Sequence, residues 1–153
     1  LRTLYRDNDR VKVVDCAVMP HSGQGPLYPF KEVSTTKREW AEACEAWWGH
    51  VHYSPPVNVV YRTLNEVLRT EGAPPLFDLL KVDVEGVDLD VLKSLDWSTW
   101  VPSVVVVEVL DMLHPGQEGK FNRVREMEVF LDRKGYALRL VSNTGNAVFR
   151  RVR

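Results

Sequence analysis

Leu76-Phe77-Asp78-Leu79-Leu80-Lys81-Val82-Asp83-Val84 is apolar at most positions and lies between Pro75 and Gly86, the pattern of a strand buried on both faces of a sheet. Asp88 is placed to cap a helix that continues through Val91, Leu92 and Leu95. Beyond Pro102, Val104-Val105-Val106-Val107-Glu108-Val109-Leu110 reads as a second buried strand, because β-branched side chains lose rotamers in a helix and pack well on a pleated surface. Strand, helix, strand is the unit of a parallel sheet. Downstream, Asp111 to Gly119 reads as a loop, and Phe121, Val124, Met127 and Leu131 mark a helix face closed by Gly135. Tyr136 to Ser142 and Ala147 to Val152 then flank a turn at Asn143-Thr144-Gly145-Asn146, a closing hairpin. The expected architecture is an open, mostly parallel α/β sheet with this C-terminal antiparallel hairpin at one edge, whose ligands bind beyond the carboxyl ends of the strands.

Upstream of the same stretch, Val57-Asn58-Val59-Val60-Tyr61 follows Pro55-Pro56 as a strand, and Leu64 to Arg69 continues as a short helix ending near Gly72. Thr36 and Glu39 carry the spacing of a capping box, and Trp40, Ala43, Cys44 and Trp47 then recur with helical period until Gly49. Pro20 to Lys31 reads as a loop. Its Gly23-Gln24-Gly25 is followed by Pro26 instead of a helix, so it fails as a dinucleotide fingerprint and reads as a turn. Val11 to Val18 reads as a strand, preceded by Leu1 to Asn8 as the last turns of a helix.

The chain has 153 residues, which predicts a single domain over 1–153. With 44% hydrophobic and 27% charged residues, it has the makings of a folded core. Twenty Lys and Arg against 21 Asp and Glu give a net charge of -1, too little field for non-specific binding to nucleic acid or a membrane surface. The short cluster Arg150, Arg151 and Arg153 reads as a solvated end. No apolar run approaches the ~18 residues of a membrane span. Two cysteines make no disulfide framework, so a cytoplasmic, soluble protein is expected.

Chemistry concentrates where the first buried strand ends. Period two puts Lys81, Asp83 and Glu85 on one side, and Gly86 lets the backbone turn sharply. Carboxylates there can hold a cationic ligand or take a proton from a hydroxyl; the structural alternative has Lys81 paired with Asp83 and Glu85 capping the next helix. Glu108 interrupts an apolar run at the corresponding end of the second strand, where an unpaired charge is expensive to bury. If the strands are neighbours, Asp83, Glu85 and Glu108 converge into an acid/base group or a divalent-ion site. His114, on the loop that follows, is a candidate base or an ordinary loop histidine. Cys44, His50 and His52 lack a fourth ligand and argue against zinc. Trp40, Trp47, Trp48 and Tyr53 read as packing, with an aromatic lid as the alternative.

The run Lys81-Val82-Asp83-Val84-Glu85-Gly86-Val87-Asp88 with Val91-Leu92 resembles the K-x-D-x-E-G-x-E/D-x-x-V-L signature of FkbM-type methyltransferases. Thr63-Leu64-Asn65 resembles the T-L-D segment before that signature, Pro102 to Glu108 the strand after it, and Gly135-Tyr136 the entry to the hairpin. Asn65 in place of Asp, Asp88 in place of Glu, and Ser94 in place of Gly depart from the pattern.

The resemblance implies a class I, Rossmann-like, S-adenosylmethionine-dependent methyltransferase acting on hydroxyl groups of small molecules or glycans. It implies catalytic roles among Lys81, Asp83, Glu85, Glu108 and His114, and cofactor contacts at Asp15, Cys16, Ala17 and Asp83. No resident metal is expected. The Gly-rich cofactor loop and second-strand acid of such enzymes do not occur before Val11. The expectation is therefore an N-terminally incomplete fold, the C-terminal portion of a longer methyltransferase, inactive in isolation. Two alternatives remain: a non-catalytic interaction module, and a divalent-metal hydrolase built on Asp83, Glu85 and Glu108.

Overall fold

The structure, a computed structural model, describes residues 2–110 and 123–152. Its strands are β1 (Ala17–Val18), β2 (Gly23–Leu27), β3 (Val57–Arg62), β4 (Leu76–Val82), β5 (Val101–Glu108), β6 (Tyr136–Val141) and β7 (Asn146–Arg151). Its α-helices are α1 (Arg38–Trp48), α2 (Leu64–Thr70), α3 (Asp88–Ser94) and α4 (Val124–Asp132). They build a three-stranded sheet ordered β1-β3-β2 and a four-stranded sheet ordered β4-β5-β7-β6.

The expected strand-helix-strand unit is present: β4 and β5 pair in parallel, with α3 between them in sequence. The mostly parallel sheet is not. β1 and β3 are also parallel, but β2–β3, β5–β7 and β6–β7 are antiparallel, so both sheets are mixed. The three-stranded sheet is mixed because part of the expected loop pairs as β2, and the four-stranded sheet because of how the closing hairpin docks. It docks through its second strand, so β7 lies between β5 and β6 and all of its pairings are antiparallel.

One apolar cluster joins the two sheets. Leu80, Val82, Val105, Val107, Ala147 and Phe149 meet Leu89, Val91 and Leu92 of α3 and Met127 and Leu131 of α4, while Met19, Tyr61 and Leu64 enter from the three-stranded side. β5, flanked by two strands, fully buries one face of its valine run, Val105 and Val107, and half-buries the other, Val104 and Val106. β4 does not. It is an edge strand among the described residues, with Leu80 and Val82 inside but Leu76 and Leu79 at 66% and 57% exposure.

The N-terminal reading also changes. Residues 2–7 form turns, and only Ala17–Val18 of the expected strand at Val11 to Val18 pairs in a sheet. Part of the expected loop at Pro20 to Lys31 is β2, with Gly25 opposite Val59 and Pro26 opposite Asn58.

The capping box lies elsewhere than expected. α1 has no side-chain cap, and the Thr36 hydroxyl instead donates to Met19 Sδ at 3.2 Å. Thr63 and Glu66 make the reciprocal pair at α2: Glu66 N donates to Thr63 Oγ1 at 3.2 Å, and Thr63 N to a Glu66 carboxylate oxygen at 3.0 Å. Thr63→Ala is expected to lower stability by about 1 kcal/mol, read as a shift in the urea midpoint with unchanged slope. No helix among the described residues is long and apolar enough to cross a membrane.

Candidate functional site

The parallel register decides which residues meet. Val82 lies opposite Val107, so the residues that follow them, Asp83 and Glu108, stand side by side at the carboxyl end of the two strands. The chain then turns through Glu85 at φ 51° and Gly86 at φ 100°, which brings Glu85 back toward them. One carboxylate oxygen from each of Asp83, Glu85 and Glu108 lies within 4.8 Å of the others. The expected convergence of these three acids is present.

The turn is held from three directions. Asp88 accepts from Val84 N at 3.0 Å and Gly86 N at 3.2 Å, so its carboxylate ties the turn together instead of capping α3, whose N-terminus has no side-chain cap. Thr35 donates its hydroxyl to the Glu85 carbonyl at 2.7 Å. Trp40 donates its indole N–H to Glu85 Oε2 at 3.1 Å. Glu85 therefore does not cap the helix either; it faces a buried tryptophan.

Burial sets the charge state. It pushes the Glu85 carboxyl up to about 7, against the lowering effect of the Trp40 hydrogen bond and with a further rise from Asp83 and Asp88. Burial pushes Glu108 up to about 9, and the charges of Glu85, Asp88 and Asp83 add to it. Burial also raises Asp88, opposed by its backbone N–H donors. Glu108 Oε2 is buried with no hydrogen-bond partner among the described residues. These are acids placed where a proton or a cation is retained.

Lys81 pairs with Asp83, as the structural alternative expected, and remains about half exposed. His114 lies outside the described residues. Trp40, Cys44 and Val51 form a second apolar cluster with Trp48 and Tyr53 packed on it, while Trp47 is exposed. Burial pushes the Cys44 thiol up to about 11, and the exposed His50 is engaged with the Trp48 carbonyl.

Asp15, Cys16 and Ala17 line a concave patch of about 400 Å³ with Leu27, Val59 and Val60. Asp83 does not line that patch, so the expected cofactor residues fall into two places. Asp15 is exposed and paired with Arg2 at 2.6 Å.

Thr35, Trp40 and Asn146 are the site residues that sequence reasoning missed. Thr35 and Trp40 reach Glu85 across 50 and 45 residues, which no local spacing announces. For Trp40 the available signal was that a buried indole N–H needs an acceptor. Asn146 is the β7 partner of Glu108 in the sheet register, and its Oδ1 is buried without a partner.

No curated protein matches the chain, and no solved structure does. The methyltransferase FkbM domain family matches residues 8–138. That match runs through β4, the acid-bearing turn, α3, β5 and the first residues of the hairpin, the segments that assemble the carboxylate rim. The chain thus belongs to the FkbM methyltransferase domain family.

Proposed function

We propose that this domain takes part in S-adenosylmethionine-dependent O-methylation of a hydroxyl on a small molecule or glycan, in the cytoplasm. The observation that carries the reading is the rim of Asp83, Glu85 and Glu108 beyond the carboxyl ends of two parallel strands, the position where open α/β sheets take ligands. The residues fit the cofactor in character. The carboxylates suit the positive charge of a sulfonium, and the apolar surface of Ala17, Leu27, Val59 and Val60 suits an adenine ring, with Asp15 at its edge.

When bound, S-adenosylmethionine supplies an electrophilic methyl group, whose bond to sulfur breaks as a bond to the acceptor oxygen forms. The chain's own part is orientation and proton uptake. Holding the acceptor hydroxyl in line can supply several kcal/mol of the barrier. The hydroxyl proton passes to a rim carboxylate, and Glu85, at about 7, is partly ionised near neutral pH and suited to accept it. The Trp40 N–H holds that carboxylate, and the Asp88 and Thr35 bonds fix the turn that carries it.

The test is transfer of labelled methyl from S-adenosylmethionine to a panel of hydroxylated small molecules and oligosaccharides, using the product of the natural transcript. Transfer to oxygen is expected, with Asp83→Asn lowering kcat/KM by about tenfold or more. A product that neither binds the cofactor nor transfers methyl would overturn the reading and favour a non-catalytic interaction module.

A further inference from the structure

We propose that the rim of Asp83, Glu85 and Glu108 binds one hard divalent cation of the magnesium, manganese or calcium type, with the side-chain oxygen of Asn146 as a further ligand. Oxygens bound to one such ion at about 2.0 to 2.6 Å lie within roughly 5 Å of each other. The three acids present an oxygen apiece within 4.8 Å, so the spacing is that of a shared coordination sphere.

A cluster of acids alone would not carry this. Two further observations, one on Glu108 itself and one on its cross-strand neighbour, support it. Glu108 is 8% exposed, and its Oε2 has no partner among the described residues, although an orphaned buried acceptor is costly. Asn146 lies directly across from Glu108 in the β5–β7 register, so both side chains stand on the same sheet face. Its Nδ2 donates to the Thr144 carbonyl at 3.4 Å, which leaves Oδ1 as a second buried, unpartnered oxygen. Carboxylate and amide oxygens without thiol or imidazole are the ligand set of magnesium, manganese and calcium. Lys81, whose positive charge reaches both buried glutamates, is paired with Asp83 and about half exposed, and a bound cation would compete with it for the Asp83 carboxylate.

Ion binding draws on the same carboxylates as the methyl-transfer reading, but it is measured without cofactor or turnover, so either can fail without the other. Manganese(II) is the probe, because its solution electron paramagnetic resonance signal is lost when the ion binds. Titrating it into the full chain is expected to show one ion per chain, displaced by magnesium or calcium. Asp83→Asn and Glu108→Gln are each expected to weaken binding by about tenfold or more, and Asn146→Leu by a smaller factor. Glu128→Gln, on the surface of α4, is expected to leave it unchanged. Circular dichroism reports whether each variant folds, and Asp83, being only partly buried, keeps the test intact if Glu108→Gln does not. Absence of stoichiometric binding at millimolar manganese, or binding unchanged in Asp83→Asn, would overturn the proposal.

Discussion

In chelator-containing buffer, raising the pH from about 5 to about 9 is expected to destabilise the protein steadily, because Glu85 and Glu108 hold protons up to about 7 and about 9 instead of 4.5. The sign follows from proton counting. Across this window the folded chain binds protons that the unfolded chain has released, so stability falls as pH rises. The contribution is fully present below about 4.5 and is lost as pH climbs through the folded values. Each carboxyl contributes a slope of up to about 1.4 kcal/mol per pH unit while its proton is held only in the folded state. The two glutamates interact and release their protons as a pair, so the curve bends gradually. Glu108→Gln keeps the shape and removes the charge, and should flatten the alkaline part of the curve and be more stable than the parent at pH 9. Urea unfolding at pH 5, 7 and 9 measures both; a flat or rising curve in the parent would show that neither glutamate is buried as described.

Gly86→Ala is expected to cost roughly 3 kcal/mol and lower Tm by roughly 6 to 12 °C. Two effects add. Gly86 has φ 100°, where an L side chain is strained, and a Cβ there would sit 2.8 Å from Trp40 Cδ2 and Cε3. The ring has no room to retreat: Trp40 is 1% exposed and held by its bond to Glu85. Gly72→Ala separates the two terms, since Gly72 also has positive φ, 68°, but nothing within 4 Å of its Cβ position. It should cost only about 1 kcal/mol. Equal losses in the two variants would mean that the contact with Trp40 contributes nothing.

The features legible in the sequence are those in which a local pattern and its tertiary use agree. The Val104 to Val109 run forms the expected strand, with Val105, Val107 and Val109 fully buried and Val104 and Val106 half-buried, and the hairpin strands β6 and β7 flank the turn that Asn143 to Asn146 announces. The convergence of Asp83, Glu85 and Glu108 followed from the assumption that two strands are parallel neighbours, which the register bears out. Where partner choice decides, sequence failed. Gly23-Gln24-Gly25-Pro26-Leu27 has the composition of a turn, yet it pairs with β3 because an edge position tolerates proline and because Gly25 leaves room for the Tyr61 ring. Thr36 and Glu39 have capping spacing, but Thr36 is drawn to Met19 and α1 starts one residue later without a side-chain cap, while α2 carries a box at Thr63 and Glu66. The alternation in β4 was masked by Leu76 and Leu79, apolar residues that lie outside.

The docking of the hairpin through β7 has a kinetic consequence. β5 ends at Glu108, and the strand that covers its second edge begins at Asn146, after α4 and β6. During synthesis the βαβ unit therefore emerges with one flank of its most buried strand bare, and the four-stranded sheet cannot close until residues 146–151 have left the ribosome. That contact is long-range, and long-range strand pairing is slow and exposes aggregation-prone edges while it waits. A chain that stalls or is cut after β6 would carry its valine strand uncovered, an arrangement that holdase chaperones and proteases are built to detect.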